Sequence, residues 1–294
     1  MISQIATAML ILLMFGMGLG LTTRDFRRVA EVPRATLIGL CGQLLLLPAL
    51  GFGLCLALNL SRDLAIGVML LTLCPGGVLS NLFTLLGRGD VALSVTMTTI
   101  SSMVTVFTLP VVLNISLLVF SDSGVQFTLP VLKTALQILV VTIIPVSLGM
   151  VVLRRAPFFA ERAGRWVRTG CTIFLPLVIG GVLFKNGGEW FSNFAKAGAL
   201  TVTLNLLAIV LGYALGKLAR LDARQVRTLS IEVGAQNAML GVTIALSPFL
   251  LNSPQIAMVP SIYGVTMVII LWAYVTIINR AQDKRLIEAT APAK

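Results

Sequence analysis

The sequence predicts an all-α polytopic membrane protein of nine transmembrane helices, two of them interrupted at matching depth. Three observations lead there. Of 294 residues, 57% are hydrophobic and only 11% charged, with a mean hydropathy of +0.98, outside the range of soluble domains. Apolar stretches long enough to cross about 30 Å of hydrocarbon recur along the chain. Two of these stretches, five spans apart, contain a glycine followed closely by Asn.

The same composition excludes other classes. A net charge of +11 could point to nucleic acid, but the basic residues sit in short connectors between apolar spans, where the positive-inside rule accounts for them; no nucleic-acid partner is expected. Histidine is absent, and with it the commonest proton shuttle and metal ligand. With no paired carboxylate and no Ser-Lys or Cys-His grouping, the chain is not read as an enzyme. Cys41, Cys55, Cys74 and Cys171 all lie in apolar spans and read as small packing residues.

Taken in order, the first span covers about 2 to 22. It has no basic start and runs into the basic stretch Arg24 to Arg34, so it reads as a retained helix and not a cleaved signal. The second, about 35 to 60, carries Gln43 and Pro48. The third, about 64 to 86, is interrupted by Cys74-Pro75-Gly76-Gly77, which removes a backbone donor and relaxes the helix just before Ser80 and Asn81. The fourth, about 91 to 120, is rich in hydroxyls; Ser94 and Thr98 share one face, and most of the others read as bonded to their own helix. Spans five (about 127 to 153) and six (about 169 to 185) contain Pro145 and Pro176, which, like Pro48 and Pro110, read as kinks. Span seven, about 196 to 216, carries Asn205 in the place where span two carries Gln43. Span eight, about 225 to 249, holds the sequence SIEVGAQNAMLG from Ser230 to Gly241, with Gly234 its one weak point. Span nine runs from about 254 to 279.

All but four of the 22 basic residues fall in odd-numbered connectors or the tail; the exceptions are Arg62, Lys133, Lys185 and Lys196. That alternation puts the N-terminus outside and the C-terminus in the cytoplasm of a cell (inner) membrane. A repeat unit with an odd number of spans places its copies in opposite orientations, and broken helices at corresponding positions of inverted halves mark a transporter's binding site.

Of the eleven acidic residues only Glu232 lies within an apolar span. An ionisable group at that depth costs about 3 kcal/mol on insertion scales, so it needs a partner or a task. Other spans offer no central Lys or Arg, which leaves a cation from solution. Hard cations bind oxygen, and the candidate oxygens are Gln43, Ser80, Asn81, Ser94, Thr98, Glu232 and Gln236, with backbone carbonyls from the two breaks. An alternative stays open: Glu232 is five residues past Arg227, roughly 7.5 Å along a helix, within reach of a snorkelling pair.

At CPGGVLSN (Cys74 to Asn81), RGDVALSVTMTT (Arg88 to Thr99) and EVGAQNAMLG (Glu232 to Gly241) the chain resembles the bile acid:sodium symporter family, and the likeness extends from MGLGL (Met17 to Leu21) through the last span. The resemblance implies a nine-helix inverted-repeat transporter with two crossing discontinuous helices. Its core would be drawn from about 35–120 and 196–279, its panel from about 2–22 and 127–185. It implies two sodium ions: one held by Ser80, Asn81, Ser94, Thr98 and Glu232, the other by Gln43, Glu232, Gln236 and the carbonyls of Val233 and Ala235. It implies sodium-driven import of a small organic anion, a carboxylate, facing Asn237, Val78 and the helix ends at Gly76 and Gly234. Met267, Val268 and Ile269 stand where bile-acid carriers place polar residues, and Val78 where a hydroxyl would fit, which points away from bile acid itself. Two other functions fit the same features: a proton-coupled anion efflux permease with Glu232 as proton carrier, and a non-transporting ligand sensor.

Overall fold

The structure, a computed structural model, describes residues 8, 11–12, 14–20, 33–120, 131–164, 166–167, 190–248 and 250–290. Every regular element among them is helical. The expected sixth span, 169 to 185, lies outside the described residues, as do Cys171, Pro176 and much of the first span.

The second span is one helical run, α1 (Pro33–Cys41), a π-helical turn (Gly42–Leu46) and α2 (Leu47–Ala57). Pro48 follows directly after the wide turn, at the start of α2, where its missing N–H and bulky ring are tolerated. The π turn was not foreseen, and it carries Gln43.

Span three is two helices, α3 (Arg62–Thr72) and α4 (Val78–Leu86), followed by α5 (Val91–Phe120) and α6 (Val131–Arg155). After α7 (Trp190–Leu218), span eight is likewise split into α8 (Ala223–Gly234) and α9 (Ala238–Leu246), and α10 (Pro254–Thr290) closes the chain. Asp222 starts α8 with a capping box, its carboxylate accepting from the amides of Arg224 and Gln225, so the entry of that broken helix is fixed by local chemistry. Among the described residues four runs are long and apolar enough to cross a membrane: Pro33–Ala57, Val91–Phe120, Ala197–Leu218 and Pro254–Lys284. Their outward faces are apolar, with Leu45, Phe107, Leu118, Ile269 and Trp272 exposed, as lipid requires and water does not favour.

The two broken helices obey one spacing. Their second halves begin at Val78 and Ala238 and end at Leu86 and Leu246, 160 residues apart in each case (238 − 78, 246 − 86). The breaks meet through an isolated antiparallel bridge between Gly76 and Gln236, also 160 apart (236 − 76), so the bridge pairs matching positions of the two broken helices. Asn237 N–H donates to Pro75 O at 2.9 Å beside it.

The rest of the fold supports this crossing. α8 packs along α7, and α10 packs on α3, α7 and α9, burying Leu71, Leu204, Ile231, Val259 and Tyr263 in one apolar cluster. At one end of the molecule Asn279 donates to Leu86 O (2.8 Å), Arg88 pairs with Asp283 (2.5 Å) and Asp90 N–H donates to the Thr228 hydroxyl (2.7 Å). The connectors near 88 and 224 and the end of α10 therefore share one face. Ala197, Met258 and Ile262 gather with Leu64 toward the opposite end. Helical residues 14–18 lie on α6 with Gly18 against Gly149, the close backbone approach that small residues permit in membranes.

Candidate functional site

The site forms where the two helix breaks meet. In the first, Leu73 to Gly77 leave the helix because Pro75 cannot donate and two glycines follow. In the second, Ala235 and Gln236 run extended between Gly234, the last residue of α8, and Ala238, the first of α9. Unwound backbone of this kind survives at membrane depth only inside protein, and Cys74, Pro75, Gly76, Gly234, Ala235 and Gln236 are all buried.

Glu232 sits one turn before the second break with 2% of its surface exposed. Its carboxylate accepts hydrogen bonds from three hydroxyls on other helices. Ser80 of α4 donates to Oε1 at 2.9 Å, Thr98 of α5 reaches both oxygens at 3.1 Å, and Ser94 of α5 also donates to Oε1. Ser94 further contacts Asn81 Oδ1 at 2.8 Å. The side chains of Ser80, Asn81, Ser94, Thr98 and Glu232 therefore converge on one point. Arg227 does not take part: it bonds Gln282 Oε1 (2.7 Å) and Gly87 O (3.4 Å), so the snorkelling pair raised by the sequence does not form.

A second group of oxygens lies behind Glu232. Gln43, held in the π turn of α1–α2, donates to Gln236 Oε1 at 2.8 Å and to Cys74 O at 3.1 Å. Gln236 returns a bond to Gln43 Oε1 (3.3 Å) and donates to Val233 O (2.8 Å). Gln43, Val233 and Gln236 thus share one contact network, and Ala235 lies within its backbone, its N–H donating to Glu232 O. Gly76 is required by this packing, since a Cβ there would lie 2.6 Å from Glu232 Oε2 and 3.3 Å from Thr98 Oγ1.

The residues expected to face substrate are distributed differently. Asn237 is half-buried and caps α9, its Oδ1 accepting from Leu240 N–H at 3.1 Å. Gly76 lies under the carboxylate and Gly77 starts α4, while the side chain of Val78 falls outside what is described. Gly234 turns its backbone toward other helices: its carbonyl accepts from Asn205 (2.8 Å) and Tyr263 (2.7 Å), and its α-carbon packs on Ile209. Tyr263 drew no notice in the sequence, where it is one aromatic in an apolar helix.

A model of the sodium bile acid symporter family matches residues 7–194, which hold Gln43, the first break and all of α5. The chain belongs to that family. It is a family of transporters, not of enzymes, and this member is a multi-pass membrane protein. Similarity extends past residue 194 to the second break. Over 273 residues the chain is 33% identical to YocS of Bacillus subtilis, an uncharacterised sodium-dependent transporter, covering 90% of this chain and 79% of that protein. It is 30% identical to the human sodium-dependent organic anion transporter, covering 95% and 75% respectively. A probable sodium/metabolite cotransporter of rice chloroplasts is 33% identical over 86% of this chain, which spans only 58% of that longer protein.

Proposed function

We propose that this family member is a sodium-coupled symporter that imports a small organic anion, a carboxylate, by alternating access. The observation that carries the reading is the buried Glu232 carboxylate ringed by hydroxyls of α4 and α5 where two broken helices meet. Oxygen-only donors around one negative charge suit a hard cation of small radius. Ser80, Asn81, Ser94, Thr98 and Glu232 hold one sodium ion. Gln43, Gln236, Glu232 and the carbonyls of Val233 and Ala235 hold a second, the two carboxamides turning from each other to the ion. The sodium dependence in the names of the Bacillus and human relatives supports the coupling.

The anion binds beside the crossing, near Asn237, Gly76, Gly77 and Val78, its carboxylate meeting the positive N-terminal ends of α4 and α9. Gly234, engaged by α7 and α10, supports the break from behind. A relative is named for ileal bile acid cotransport, but here Met267 is buried in the apolar cluster and Ile269 faces outward, so these positions of the last helix offer no polar contact for a steroid hydroxyl. A smaller anion fits better. The core, 35–120 and 196–279, rocks against a panel of 2–22 and 127–185, with the N-terminus outside and the basic end in the cytoplasm.

Thermal melting of the purified protein in sodium or potassium chloride at equal ionic strength, with and without a panel of small carboxylates, tests the reading. A ligand bound only by the folded state raises Tm. Sodium alone should stabilise and should sharpen the response to one carboxylate; identical curves in the two salts would overturn the proposal.

A further inference from the structure

The two breaks are held by analogous but chemically different clamps. In the first copy, Gln43 of the preceding span donates to Cys74 O, 31 residues on. In the second copy, Asn205 of the preceding span donates to Gly234 O, 29 residues on. Cys74 and Gly234 occupy the same place relative to the Gly76–Gln236 bridge. Gly234 ends α8 and Cys74 lies just past the end of α3, where carbonyls have no intrahelical partner. Buried and unpaired, either one would be costly.

The second clamp is closed by a third residue. Tyr263 of α10 donates its hydroxyl hydrogen to Gly234 O at 2.7 Å and accepts from Asn205 Nδ2 at 2.8 Å, so carbonyl, carboxamide and phenol form a triangle. Asn205 and Tyr263 have no exposed surface at all. Asn205 Oδ1 lacks a partner, so its carboxamide is oriented through the nitrogen alone. The triangle draws Gly234 O toward α7 and α10. The carbonyls on either side, Val233 and Ala235, belong to the proposed second sodium site.

We infer that Asn205 and Tyr263 are positioning residues for that sodium site: by fixing the Gly234 peptide they set the direction of the Val233 and Ala235 carbonyls. The inference rests on the sodium-symport reading. It also accounts for an asymmetry in an otherwise repeated design. Gln43 clamps its break and is at the same time a sodium ligand, whereas Asn205, which clamps the other break from a neighbouring rather than a matching position, is sealed behind it and only orients it. One sodium set, not two symmetric ones, results on the carboxamide side.

The test compares Tyr263→Phe, which deletes a single hydroxyl, Asn205→Leu, which keeps the shape and deletes both bonds, and wild type. Two quantities are read: Tm without sodium, and the sodium concentration giving half of the full thermal shift. Removing an outer partner of a metal ligand typically weakens binding 10- to 100-fold, so half-saturating sodium should rise about tenfold in Tyr263→Phe and further in Asn205→Leu. A merely structural pair would lower the sodium-free Tm and leave half-saturation unchanged, and that result overturns the inference. Should Asn205→Leu fail to fold, Tyr263→Phe decides alone. If wild type itself ignores sodium, the symport reading fails and the inference falls with it; a sodium response in wild type with unchanged half-saturation in the variants overturns the inference alone.

Discussion

At the scale of single residues, the fate of Glu232 separates a cation site from a packing glutamate. Three hydroxyl donors surround it, and no basic side chain among the described residues contacts it. Glu232→Gln keeps size and one ligand oxygen but removes the charge that offsets the cation. Sodium-dependent stabilisation and sodium-driven uptake should both drop by at least about a hundredfold, in line with losing a charged ligand from a coordination shell. Without sodium the variant should melt at the same temperature as wild type or higher, because an uncompensated buried charge costs stability. Melting temperature against sodium concentration measures both, and an unchanged sodium response in the variant would remove Glu232 from the site. Glu232 was legible in the sequence because a lone carboxylate in hydrocarbon needs a partner or a task, and the bland reading, a snorkelling pair, lapses only because Arg227 bonds elsewhere. Tyr263 was not, because a buried phenol and a lipid-facing one look alike until its partner is known.

Elements differ in how plainly they announce themselves. The break after Thr72 was written in Pro75-Gly76-Gly77, which deny the helix a donor and stiffness. The break after Gly234 has one glycine, and what opens it is tertiary: Asn205 and Tyr263 take its carbonyl, the bridge to Gly76 takes the extended strand, and Asn237 restarts the helix as cap. The π turn around Gln43 left no trace beyond Pro48. At this scale Gly76 is the sensitive position. A methyl group there would lie 2.6 Å from Glu232 Oε2, closer than contact allows, so Gly76→Ala should displace the carboxylate from Ser80 and Thr98. Half-saturating sodium should rise about tenfold or more while the helical circular dichroism stays that of wild type. Full sodium affinity in Gly76→Ala would mean that the carboxylate is not held where the crossing places it.

At the scale of the whole molecule, one end gathers connectors that the sequence counts as basic, and the proposed orientation is tested there. The turn at 86–90, the start of α8 and the end of α10 are bonded to one another at the basic end, as the count of Lys and Arg by connector requires. Arg88 and Asp283 are half exposed there, so their pair contributes little to stability; its value is in showing which connectors share a face. Arg155, exposed at the end of α6, belongs to the same set by sequence. Arg155→Cys in a cysteine-free background should react with an impermeant maleimide only in inside-out vesicles, and labelling in intact cells would invert the topology. Under the proposed import of two sodium ions with one monoanion, each cycle would move one net positive charge inward, worth about 2.3 kcal/mol per 100 mV.

The sequence by itself determined the solvent, the helical class and the one carboxylate at depth, because each is enforced locally: hydrocarbon selects apolar runs, and a carboxylate among them stands out in any order of neighbours. Ser80, Asn81, Ser94 and Thr98 were legible for the same reason, as polar groups next to a break or on one helical face. Only the tertiary structure decided which oxygens meet. Gln43 finds Gln236 and Asn205 finds Gly234 across 193 and 29 residues, through a π turn and a bridge whose existence depends on both partners being in place. A single strand of sequence encodes each group's need for a partner, and packing in three dimensions chooses the partner that satisfies it.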